Sequence, residues 1–152
     1  MSYDLMVFEP EAAPKKHAAF MAWYLKLVEW NDEPYNDPLN TSERLRLWVR
    51  DMQRKFPDMN TPEAEIVPID DDGVLSDYTI GRDFVYAGFA WSKAILAAAE
   101  AERLAKLHGV GFFDVSSPGE EVYFPVNGTL ELTHQKTAPS FFERMRRKLS
   151  GG

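Results

Sequence analysis

The chain contains no cysteine in its 152 residues. That excludes disulfides, thiolate metal ligands and a cysteine nucleophile, and it suits a reducing compartment. Histidine is scarce. His17, His108 and His134 are far apart in sequence and none belongs to an HExxH or HxH pattern, so no zinc site is expected. No apolar run approaches about 18 residues, so no membrane span is expected. The opening MSYDLMVFEPE has no basic start and turns acidic early, unlike a signal peptide. A cytoplasmic location follows as the expectation. Neither a GxSxG elbow nor a GxxxxGK(S/T) phosphate loop occurs. Gly109 and Gly111 form a lone GxG that follows a helix pattern instead of opening one, the wrong context for a dinucleotide. No cofactor and no metal are expected.

What is present is mostly acid and aromatic. Net charge is −7, with 24 acids against 17 bases. The imbalance is uneven: residues 1–92 hold 17 acids and 9 bases, and the rest hold 7 and 8. An acidic chain repels phosphates, so nucleic acid is not the expected ligand. An acidic face suits a basic protein partner. Aromatics make up 13% of the chain, enough with its 45% apolar content for a core without staples.

The most patterned stretch runs from Asp77 to Pro125. Tyr78–Ile80 and Asp83–Phe89 are β-prone, with Gly81-Arg82 as a turn or bulge between them. Ser92 can cap an alanine-rich helix that stops at His108-Gly109. Val110–Val115 follows at once as a strand, and Glu121–Val126 is its hairpin partner across Ser116-Ser117-Pro118-Gly119.

The flanking segments pack around this unit. Tyr3–Phe8 reads as a first strand, ended by Pro10. Phe20, Trp23, Tyr24, Leu27 and Trp30 make one stripe on a helix over 14–30 that starts at Pro14. NDEPYNDP over 31–38 is a loop. Asn40 or Thr41 then caps a second helix with the stripe Leu45, Trp48, Val49, Met52 and Phe56. Its other face carries Arg44, Arg46, Arg50, Arg54 and Lys55, a solvated surface crossed by salt bridges. A short β-like piece spans Glu65–Ile69. Asp70-Asp71-Asp72-Gly73 is a polar turn: a calcium loop starting there needs Glu at position 81, which is Gly81. Thr129–Thr133 forms a short strand. Ser140 and Glu143 make a capping box for a terminal basic amphipathic helix.

The element order predicts an α+β fold. The expectation is a two-layer sandwich: a mostly antiparallel sheet with the helices packed on one face, in a split βαβ arrangement with an extra helix, plus a C-terminal helix. The whole of 1–152 forms one domain, with 1–126 as core and 127–152 as a strand and helix extension.

Two stretches carry a family resemblance: YDLMVFEPEAAP…FMAWY…DP…LRLWVRDMQRKFPDMN, and YTIGRDFVYAGFAWSKA…AKLHGVGFFDVSS…EVYFP. They resemble a family of small bacterial proteins whose genes lie among polymorphic toxin and secretion-system loci. The resemblance implies a cytoplasmic immunity-type protein that binds and blocks a partner toxin.

The functional expectation is therefore a non-enzymatic protein-binding module that neutralises a cognate toxin or effector through an acidic surface. The candidate contacts are Asp32, Glu33 and Asp37, then Glu63, Glu65, Asp70, Asp71, Asp72, Asp77 and Asp83. Most lie within 58–83, where eight acids face the single base Arg82. The alternative is a small-molecule binder or enzyme, with an aromatic-lined pocket built by the first helix and the 31–38 loop. No catalytic residue is nominated: acid pairs can always be found among 24 acids, and Asp83 or Asp114 would need a pocket and a partner.

Overall fold

The structure is a computed structural model and describes residues 2–30, 35, 37–61 and 73–136. Its elements run β1 (Ser2–Phe8), α1 (His17–Leu27), α2 (Glu43–Gln53), β2 (Asp77–Ile80), β3 (Phe84–Ala90), α3 (Ala94–His108), β4 (Gly111–Phe113), β5 (Val122–Val126) and β6 (Thr129–His134). The strands form one sheet of six in the order β2-β3-β1-β4-β5-β6, antiparallel at every pairing.

β1 is central because its sequence tolerates burial on both faces. Tyr3, Leu5 and Val7 point one way and Met6 and Phe8 the other, all buried. β3 and β4 flank it, each antiparallel to it and so parallel to one another, with α3 as their connection. This is the expected split βαβ. β6, drawn from the 127–152 stretch, completes the sheet against β5.

The α+β class and the antiparallel sheet are as expected, and α2 and α3 form the expected helical layer. The stripe of α2 (Leu45, Trp48, Val49, Met52) packs on Leu5 and Val7 together with Ala97, Ala101, Leu104 and Ala105 of α3. The small residues of α3 let α2 come close enough for the Trp48 indole to donate to the Ala101 carbonyl at 3.1 Å. Gly109, at φ +69, closes α3 in the left-handed conformation that suits glycine.

α1 does not join that layer. Phe20 packs edge-on against Phe8 and Phe113, and Tyr24 against Phe113, on the opposite face of the sheet. The reason lies in Met6, Phe8, Phe113, Val122 and Phe124, a second set of large apolar side chains that also has to leave water.

Helix starts also differ from expectation. α1 begins at His17, not at Pro14, and Lys16 at its cap makes no side-chain bond. Ser42, not Asn40 or Thr41, caps α2 by accepting from the Leu45 amide. Ser92 lies inside a 3-10 turn, Trp91–Lys93, instead of capping α3. The expected β-like piece at Glu65–Ile69 and the terminal helix after Ser140 lie outside the described residues.

Candidate functional site

α1 covers only part of its face of the sheet. Toward the β1 start and the β2 edge, no helix among the described residues covers the same face. The register there places Asp77 of β2 and Asp4 of β1 both opposite Gly88 of β3. The three form a row across the sheet: carboxylate, glycine, carboxylate. A groove of about 420 Å³ lies over this row, with Tyr86, Met59 and Leu75 among its walls.

The Asp4 carboxylate is held from two sides. Ser2 Oγ donates to Oδ1 and Tyr86 Oη to Oδ2, both at 2.6 Å. Burial, and then the charge and hydrogen bond of Asp4, push the Tyr86 hydroxyl well above its ordinary value, so it stays a donor. The Asp4 amide donates to Ser116 Oγ at 2.8 Å, which pins the backbone. Asn60 Nδ2 donates to Asp77 Oδ1 at 3.0 Å. Among the described residues, neither Asp4 nor Asp77 forms a salt bridge. A Cβ on Gly88 would stand 3.1 Å from Asp4 Oδ1, so the glycine keeps the space between the two acids open.

The opposite side of the molecule is different. There carboxylates and bases neutralise each other: Arg44 with Glu9 at 2.5 Å, Lys55 with Glu100 at 2.6 Å, Arg103 with Glu100, and Arg50 with Asp51 at 3.0 Å. Burial alone would raise the Glu100 carboxyl, but Arg103 and Lys55 together outweigh it and hold it below its ordinary value. For Asp51 the same opposition, led by burial against Arg50 and His108, also ends below the ordinary value. The basic face of α2 is thus a salt-bridged surface, as its charge pattern suggested.

Of the expected contact residues, Asp32, Glu33, Glu63, Glu65, Asp70, Asp71 and Asp72 lie outside the described residues. Asp77 sits on the β2 edge, in the groove. Asp37 spends its carboxylate on the Leu39 amide, at 2.9 Å, as the cap of a 3-10 turn. Asp83 lies in the β2–β3 turn, where its carbonyl accepts from the Glu9 amide at 2.9 Å. Asp83 lies at one end of the β2–β3 hairpin and Asp77 at the other, so the structure does not gather them. Asp4 and Gly88 are absent from the expected set. The signals for them were one acid in the apolar strand YDLMVF and one glycine inside the strand FVYAGFA.

Most of the 31–38 loop, the other half of the expected aromatic-lined pocket, lies outside the described residues. Phe20 is fully buried, while Trp23, Tyr24 and Leu27 pack against the second core. Trp30, 40% exposed, stands edge-on to Tyr86 at the end of the acidic groove's face.

A second polar cluster joins α1 to β6. His17 Nδ1 and His134 Nδ1 lie 2.8 Å apart, and His17 Nε2 is 3.4 Å from Glu120 Oε1. A bulge makes this possible. Val122 pairs with His134 but Tyr123 pairs with Leu132, so Thr133 is the extra residue and His134 turns to the α1 face. His134 Nε2 is buried and, among the described residues, has no partner in hydrogen-bonding geometry. Burial, and then the His17 ring, hold the His134 imidazole below its ordinary value, against a smaller opposing effect of the Pro14 backbone. Among the described residues no three histidine, aspartate or glutamate side chains gather as metal ligands.

Burial pushes the Asp114 carboxyl up, and the Glu121 charge adds to the rise. It does not line the groove over Asp4 and Asp77, and neither does Asp83. Among the described residues no helix is long and apolar enough to cross a membrane. Comparison of the chain with protein-family models, with curated proteins and with solved structures finds no match.

Proposed function

We propose that this chain is a non-enzymatic protein-binding module, an immunity-type protein that neutralises a cognate toxin or effector in the cytoplasm through an acidic surface. The observation that carries this reading is the face over Asp77, Gly88 and Asp4, where, among the described residues, two carboxylates meet no cation. On the α2–α3 side, by contrast, Glu9, Glu100 and Asp51 each lie against a base. A basic partner supplies the missing charge. Its approach is steered by the net charge of −7, which raises the association rate more than the final affinity.

Co-expression with the product of the adjacent gene tests the proposal. The expected result is a complex that survives purification, together with restored growth in cells that the partner alone poisons. Absence of both the complex and the rescue contradicts the immunity reading.

A further inference from the structure

The row across the sheet has a definite width, and the width selects a ligand. Asp4 and Asp77 are separated by one intervening strand, so their Cα atoms are two strand spacings apart, about 10 Å. Asp4 leans over Gly88, where a Cβ would stand 3.1 Å from its Oδ1, so the carboxylates lie closer together than their Cα atoms. Gly88 puts no side chain between them.

We infer that this slot receives the guanidinium of an arginine on the protein partner. The inference rests on the protein-binding reading above and deepens it. A lone ammonium nitrogen bridging both acids reaches only two hydrogen bonds, about 6 Å. A guanidinium adds the width of its planar fork, reaching about 8 Å, and donates on both sides at once. Asp4 is prepared for this: Ser2 and Tyr86 orient its oxygens before any ligand arrives. The apolar stem of the arginine has Met59, 50% exposed, and the Tyr86 ring to lie against. Charge-assisted bonds of this kind are stronger than neutral ones and specific in geometry. Gly88 is then a specificity residue: any side chain there occupies the slot and presses on Asp4.

The test is NMR of the full chain, titrated with N-acetyl-arginine amide and, in parallel, with N-acetyl-citrulline amide as the neutral isostere. The expected result is a saturable set of amide shifts centred on Gly88, Asp4 and Asp77 with the arginine compound, at least tenfold weaker with citrulline. The lysine analogue falls between. Asp77→Asn, on an edge strand, and Gly88→Ala each abolish the shifts while the remaining spectrum shows an intact fold. Asp4→Asn does the same, and should it disturb the fold, the other two variants still decide. Glu131→Gln, on β6 and outside the groove, leaves them unchanged. Equal shifts with arginine and citrulline, shifts centred elsewhere, or full shifts in Asp77→Asn and Gly88→Ala overturn the slot. A partner complex that forms normally with Asp77→Asn and Gly88→Ala also removes the slot while leaving the binding reading intact. Guanidinium shifts without any partner complex remove the immunity reading and leave the slot.

Discussion

The imidazoles of His17 and His134 face each other through their Nδ1 atoms at 2.8 Å, so one ring must donate and the other accept. Two protonated rings cannot keep that contact. The pair ties the first residue of α1 to the last residue of β6, beside the Phe20 ring that also packs on His134.

Acid should therefore loosen this end of the molecule. The His134 imidazole is held below its ordinary value when folded, so the unfolded chain takes up the proton first. Stability is full above the unfolded value of about 6.5 and falls as pH drops below it. The groups facing the pair are Glu120 on His17 and the rings of Phe20 and Phe124 on His134. Melting temperature measured from pH 8 to pH 5 should decline, and His134→Gln should flatten that part of the curve. An unchanged slope in the variant contradicts the assignment.

The second prediction concerns the α2–α3 layer. Trp48 is fully buried and donates to the Ala101 carbonyl. Trp48→Ala should cost about 3–5 kcal/mol in denaturant unfolding. Trp48→Phe keeps most of the volume and loses the bond, at a cost of about 1–2 kcal/mol.

Glu100 predicts an asymmetry. Its side chain is 8% exposed, whereas its partners Lys55 and Arg103 are 64% and 61% exposed. Removing the carboxylate frees two cations that simply rehydrate, so Glu100→Gln should cost about 1 kcal/mol or less. Replacing both cations by methionine strands a charge in the interior. That should cost about 2 kcal/mol, below the range for a fully buried pair because water still reaches the rim. Chemical denaturation of the two variants in parallel decides the order.

Much of the fold was legible in the residues because it is local. The spacing of Leu45, Trp48, Val49 and Met52 marks one helix face whatever lies across from it. Pro10 and Gly109 mark ends by their own geometry. The face that each helix covers is another matter. α1 went to the opposite side of the sheet because Met6, Phe8, Phe113 and Phe124 needed cover, and that set exists only once β1, β4 and β5 are in register. The site is less legible still. His17 and His134 are separated by 117 positions and meet through a one-residue bulge. The row Asp77, Gly88, Asp4 is a matter of strand pairing across three segments. Acid-rich runs such as Asp70-Asp71-Asp72 draw the eye in a sequence, while an acid alone in an apolar strand does not.

The central claim is that the acidic face recruits a basic partner, and association kinetics test it most directly. The purified chain and the product of the adjacent gene would be mixed at low and high salt, with the wild type and with the double variant Asp4→Asn, Asp77→Asn. The account predicts that the double variant associates about tenfold more slowly at low salt and that the gap closes at high salt, where surface charges are screened. No association at all, or equal rates for the two chains at low salt, would contradict it.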